Sequence, residues 1–180
     1  RAELSPINAH DINVNGSINF LELAINQSKS QNNAVKFFFP SSIAVYGVNK
    51  KDTTCKENEN LNPITIYGAN KLYIEKLGCY YSKYYQQMDS NGLMIDFRSI
   101  RFPGIISPDT IPSGGTSDFI PEMWHSIIRE NHYDCFVKSD SKLPFISMSD
   151  AINGIEKLMS TKQEKLTQRV YNVSSFNPSA

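Results

Sequence analysis

Val35-Lys36-Phe37-Phe38-Phe39-Pro40-Ser41-Ser42-Ile43-Ala44-Val45-Tyr46-Gly47 is a short apolar run that meets a proline and passes into hydroxylated and small residues. Val and Phe suit a pleated strand. A run with so little polar interruption suits a central parallel strand covered on both faces, here ending at Pro40. Open α/β sheets bind their ligands at the carboxyl ends of such strands. Ser41 and Ser42 therefore stand where a hydroxyl could hold a substrate oxygen. They also stand where serines commonly satisfy strand-end backbone groups, and this stretch alone leaves both readings open.

Upstream, Ile12, Val14, Ile18, Leu21, Leu23 and Ile25 recur at three- and four-residue steps, predicting a helix over 8–28. Downstream, 47–64 is polar and reads as a surface excursion. A long helix is predicted over 66–85, apolar on more than one face, so it should be covered on both sides, by the sheet and by a second subunit. A turn-like loop at 86–92 leads to a strand over 94–102 that stops at Pro103-Gly104. The Gly-rich stretch 113–118 runs into a helix over 119–129, with Ser117 or Asp118 as candidate N-cap. Short strands are expected near 133–137 and 145–148, then a helix opened by Ser149 and Asp150 and running to 159, then a last strand over 169–173.

This alternation predicts an α/β fold, a Rossmann-like doubly wound parallel sheet. A dinucleotide-binding fold opens with a strand and a glycine-rich turn at a helix N-terminus. No G-x-G-x-x-G occurs, and the chain starts directly in a helix. The expectation is thus an incomplete fold, lacking its N-terminal βα units and its C-terminal end. Residues 1–105 would be the later part of a dinucleotide-binding domain with the catalytic residues. Residues 106–180 would supply segments of a small substrate-binding lobe, interleaved with the last elements of the sheet.

Eighteen basic residues balance eighteen acidic ones, so nothing favours nucleic acid or an anionic membrane as partner. No apolar run approaches the roughly 18 residues that span a bilayer. Cys55, Cys79 and Cys135 are odd in number and widely spaced, which fits neither a disulfide framework nor a zinc site. His10, His125 and His132 form no metal-like cluster, so no metal is expected. An intracellular location follows, cytoplasmic, or mitochondrial if the source is a eukaryote.

Tyr67-Gly68-Ala69-Asn70-Lys71 is a Y-x-x-x-K at the start of the predicted long helix. Residues four apart share a helix face, so phenol and ammonium should project together. A nearby cation favours the phenolate and should lower the tyrosine pKa, making Tyr67 a candidate general base. Nine Tyr and thirteen Lys give ~0.65 chance matches to such a pattern. Tyr46-Gly47-Val48-Asn49-Lys50 is a second match. It lies in loop composition, where no helix sets the register, and is taken as the accidental one.

A strand followed by S-S-x-x-V-Y-G (41–47), a Y-x-x-x-K about twenty residues on, and a strand ending Arg101-Phe102-Pro103-Gly104 together resemble the extended short-chain dehydrogenases/reductases. The resemblance implies that Ser42 assists catalysis, that Tyr67 is the base, and that Lys71 also holds the nicotinamide ribose of NAD. It places Pro103, Gly104 and Ile105 along the nicotinamide, and implies a homodimer formed through the long helix and the one before it. Within the family, the segments 98–107, 112–119, 121–125, 142–145 and 164–173 most resemble the short-chain L-threonine 3-dehydrogenases. That implies NAD-dependent oxidation of the 3-hydroxyl of L-threonine to 2-amino-3-ketobutyrate.

Charge agrees with a small substrate. Between Phe102 and Ile128 there is no Arg or Lys to hold a diphosphate. Gly114, Gly115 and Thr116 offer backbone N–H groups and a hydroxyl before a helix, which suits one carboxylate, or they form an ordinary Gly-rich connection. Gly115 and Thr116 are candidates to hold the amino-acid end, and Trp124 is read as core or lid packing. The rival readings are a nucleotide-sugar epimerase or dehydratase on the same fold, and a catalytically incompetent fragment or binding module lacking the cofactor cradle.

Overall fold

The computed structural model describes residues 2–47, 54–85, 95–109, 111–112, 115, 117–130 and 132–178. The loop 86–92, Gly114 and Thr116, all singled out above, lie outside the described residues. In chain order come α1 (Pro6–His10), a π-helical turn (Asp11–Asn15), α2 (Gly16–Gln31), β1 (Lys36–Ser42) and α3 (Ile66–Lys83). Then follow β2 (Asp96–Phe102), β3 (Gly104–Ile106), α4 (Phe119–Glu130), β4 (Phe145–Ser147), α5 (Met148–Ser160) and β5 (Val170–Asn172). β1, β2 and β5 form a parallel sheet in that order, and β3 pairs with β4, also in parallel. The Rossmann-like α/β expectation holds.

β2 is buried along its whole length, and the alternation of its side chains creates two cores. Phe97 faces α2 and α3, where it meets Phe37, Phe39, Leu21 and Ile74. Ile100 and Phe102 face the other way, against Phe38, Ile146, Ala151 and Leu158. A strand of period two buried on both faces requires cover on each. Each fully buried Leu, Ile or Phe contributes about 1.5–3 kcal/mol of burial free energy. The approach of α3 depends on Gly78, where a Cβ would lie 2.1 Å from the Phe97 ring.

Two arginines in so buried a strand must be paired. Arg98, on the α5 side, donates to Asp96 at 3.1 Å and 2.5 Å and to the carbonyls of Leu158, Met159 and Thr161 at the end of α5. It thereby satisfies last-turn carbonyls that have no helical partner. Arg169 donates to the other Asp96 oxygen at 2.5 Å.

Several boundaries differ from expectation. β1 continues through Pro40 to Ser42, paired in parallel with β2 over its whole length. Residues 133–137 form no strand: Cys135 and Phe136 are exposed, and Phe136 instead packs edge-on to Phe119. Phe145 does enter a strand, together with the unexpected β3 beyond Pro103. α5 opens one residue early because Ser147 caps it, accepting the Asp150 N–H at 3.1 Å. Trp124 is 66 % exposed rather than packed, because α4 turns Phe119, not the tryptophan, inward. No helix among the described residues is long and apolar enough to cross a membrane.

Candidate active site

The site assembles where α3 begins, beside the carboxyl end of β1. Ser42, the last residue of β1, caps the tight turn Ile43–Val45 and accepts the Ala44 N–H at 3.2 Å. Two acceptors serve the opening N–H groups of α3. Thr65 Oγ1 accepts from Gly68 at 3.0 Å, and Glu3 Oε1 accepts from Ile66 at 2.8 Å. Gly68 permits the close docking of this helix end, since a Cβ there would lie 2.0 Å from the Ala44 carbonyl oxygen. Tyr67, its neighbour, is thereby carried to the Ser42 hydroxyl.

The Ser42 hydroxyl lies close enough to the Tyr67 phenol to favour the phenolate. One turn on, Lys71 projects the same way. Its Nζ lies 5.5 Å from the centre of the Tyr67 ring and 4.8 Å from that of Phe39, and donates to the Pro40 carbonyl at 2.7 Å. The three residues expected to act together are together.

Their electrostatics differ from the expectation. Burial pushes the Tyr67 phenol above its ordinary value, and the Ser42 hydroxyl opposes this. Burial also pushes the Lys71 ammonium down, with Glu75 opposing. The expected lowering of Tyr67 by Lys71 is therefore overturned: desolvation of a half-buried phenol outweighs a cation that sits over the ring and gives a proton to a backbone carbonyl.

Pro103 and Gly104 are buried, and Ile105 is 40 % exposed. A Cβ on Gly104 would stand 2.5 Å from the Phe145 ring, so the backbone there runs hard against β4. Gly115 is exposed, and its N–H is engaged by the Asp118 carboxylate at 2.8 Å while its carbonyl accepts the Asp118 N–H at 3.0 Å. The Asp118 carbonyl takes the Glu122 N–H, as an N-cap residue's does.

The sequence reading missed the layer beneath the site. Glu75, one turn beyond Lys71, is 1 % exposed. Its Oε1 accepts from Ser41 Oγ at 2.5 Å and Arg101 Nε at 2.8 Å, and its Oε2 accepts from Arg101 Nη2 at 2.6 Å. Arg101 Nη1 continues to Tyr46 Oη at 2.6 Å and to the Glu57 carbonyl at 2.8 Å. Tyr46 then donates to Asn172 Oδ1 at 2.8 Å. The tyrosine of the accidental motif is thus a member of a buried network, while its Lys50 lies outside the described residues. A signal was present: Glu75 extends the Tyr67–Lys71 spacing by four, and an arginine in a buried strand demands a carboxylate.

Residues 1–174 match the profile of the NAD dependent epimerase/dehydratase family. The chain belongs to that family. An epimerase/dehydratase of Staphylococcus aureus (strain USA300), itself uncharacterized, is 38% identical over 180 residues, which cover 98% of this chain and 52% of that protein. The structure of L-threonine 3-dehydrogenase from Trypanosoma brucei is 38% identical, with a TM-score of 0.84, over 99% of this chain and 51% of that one. A monomeric L-threonine 3-dehydrogenase from a metagenome is 37% identical, with a TM-score of 0.83, over 99% and 54%. This chain of the epimerase/dehydratase family therefore spans about half the length of the proteins it matches.

Proposed function

We propose that the whole protein is an NAD-dependent dehydrogenase that oxidises the 3-hydroxyl of L-threonine to 2-amino-3-ketobutyrate. The observation that carries this reading is the joint placement of Tyr67, Ser42 and Lys71 at the strand end. The likeness to two L-threonine 3-dehydrogenases supports the choice of substrate. So does the lack of Arg or Lys between Phe102 and Ile128, which offers no fork for a diphosphate.

The donor set fits a nicotinamide nucleoside. Lys71 supplies an ammonium for ribose hydroxyls, and Pro103, Gly104 and the exposed edge of Ile105 supply an apolar wall for a flat ring. NAD, when bound, accepts the hydride that leaves the substrate carbon. Tyr67 takes the hydroxyl proton as that C–H bond breaks and the C=O bond forms. Ser42 orients the same oxygen and favours the phenolate. Gly115 and Thr116 hold the amino-acid end, the Gly115 N–H by exchanging its bond to Asp118. Segments within 106–180 belong to the substrate lobe.

Phe20 and Leu23 on α2, Tyr73 and Tyr80 on α3 and Tyr84 just beyond it are exposed, and these faces pair two subunits into a homodimer. The three cysteines are free, in keeping with a reducing, intracellular compartment. The decisive experiment follows NADH formation from NAD and L-threonine by the full-length protein. Tyr67→Phe is expected to lower kcat by about 10²- to 10⁴-fold. An unchanged rate would remove the mechanism, turnover of a UDP-sugar in place of threonine would move the reading to an epimerase or dehydratase, and a full-length protein without any NAD-linked turnover would leave a binding module.

A further inference from the structure

Glu75 is buried away from the strand-end opening, yet its carboxylate is bonded by elements that each carry part of the site. Ser41, adjacent to Ser42, reaches it from β1, and Arg101, just before the Phe102-Pro103-Gly104 corner, reaches it from β2. It sits on α3 four residues beyond Lys71 and eight beyond Tyr67, so all three lie on one helix face. With both carboxylate oxygens occupied and its position 1 % exposed, the group has little freedom to move.

We propose that Glu75 is a positioning residue, a buried carboxylate that ties the Ser42 strand end and β2 to α3 one turn beyond Lys71. The inference rests on the proposed function for its catalytic meaning and on packing alone for its physical content. Around Lys71, β1 supplies the Pro40 carbonyl and the Phe39 ring, and α3 supplies Tyr67 and Glu75. β2 supplies Arg101, bonded to the same carboxylate. Burial pushes the Lys71 ammonium down, and the Glu75 charge one turn away opposes that push. Ser41 contributes by geometry: its bond to Glu75 fixes the backbone one residue before the hydroxyl that meets Tyr67.

The test reads the titration of Lys71 directly, by competitive acetylation of the full-length protein across pH with mass-spectrometric quantification, which needs neither cofactor nor substrate. Glu75→Gln alone would strip a buried guanidinium of its partner, so the main variant is Glu75→Gln with Arg101→Met, which removes both charges at once. The Lys71 midpoint is expected to fall by about one pH unit. In the assay, kcat is expected to fall about tenfold on the alkaline side, while KM for threonine stays within about twofold.

Glu75→Asp, which keeps a counter-charge for Arg101, is measured alongside; its shorter arm retreats from Ser41 and Lys71, so the midpoint moves in the same direction by less. An unchanged Lys71 midpoint in whichever of these variants is folded, as judged by thermal melting, overturns the inference. A wild-type protein that is inactive on threonine, with the midpoint shift still present, breaks the proposed function and leaves this inference standing.

Discussion

Arg98 and Arg101 lie three residues apart on one strand, both nearly devoid of solvent contact, and they do different work. Arg98 spends its donors on Asp96 and on the carbonyls that end α5. Arg101 gives its donors to the Glu75 side chain on α3, to Tyr46 and to the loop carbonyl of Glu57. The first ties strand to helix end and would serve any fold of this kind. The second ties together the segments that bear the reacting groups. Which face of β2 an arginine occupies decides whether it supports the scaffold or the site.

Removing each arginine should separate the two. Arg101→Met leaves the Glu75 carboxylate buried without its cation and should cost about 3–5 kcal/mol. Arg98→Met should cost nearer ~3 kcal/mol, because Asp96 keeps Arg169 at 2.5 Å. Denaturant unfolding of the full-length protein measures both. The sharper difference is functional: the folded Arg98 variant should keep the Lys71 titration unchanged. A shift there as large as that of the Glu75 and Arg101 double variant would erase the distinction.

Much of the scaffold was legible because it rests on periodicity. The Val35–Phe39 run, the long helix after Thr65 and the strand ending at Phe102 each announce themselves by apolar spacing and end at proline or a change of composition. Tyr67 and Lys71 were legible because helix geometry fixes where residues four apart must point. The sign of the Tyr67 shift was not, since it depends on how deeply the phenol is desolvated, and burial is a property of the assembled chain. Glu75 and Arg101 each left a signal, but nothing in the sequence matched the two partners, which lie 26 residues apart. The aromatic stretch at 133–137 misled because residues suited to a strand form one only where another strand offers a ladder.

Helix docking provides the next test. Gly68→Ala places a methyl where the Ala44 carbonyl stands, 2.0 Å away, so α3 or the Ile43–Val45 turn must shift. Displacing Tyr67 from Ser42 by about 1 Å should lower kcat by roughly 10- to 100-fold. A full-length Gly68→Ala protein with wild-type kcat would show that the hydroxyl pair tolerates movement, and that the precision attributed to the Arg101 side is unnecessary.

The pH profile probes the same pair. Tyr67 must lose its proton to act as a base, so kcat/KM rises with pH until the phenol titrates, and burial moves that limb upward. Lys71 must keep its proton, so the rate falls again as the ammonium titrates, and burial moves that limb downward. The two limbs approach each other on the alkaline side of neutrality and should give a narrow peak. A flat plateau from about pH 6 to 9 would contradict the burial of both groups.

The smallest effect comes from the other tyrosine. Tyr46→Phe keeps the ring beneath the Arg101 guanidinium, 5.0 Å from its centre, and removes only the hydroxyl. Arg101 Nη1 retains the Glu57 carbonyl, so the main loss is the bond to Asn172. A cost of about 1 kcal/mol is expected. The change in kcat should stay below about threefold, against at least ~100-fold for Tyr67→Phe. Both tyrosines begin a Y-x-x-x-K; Tyr67, on the helix, has Lys71 over its ring, and Tyr46 has Arg101 there. A Tyr46→Phe loss as large as that of Tyr67→Phe would mean that the buried network, and not the strand-end pair, holds the reacting proton.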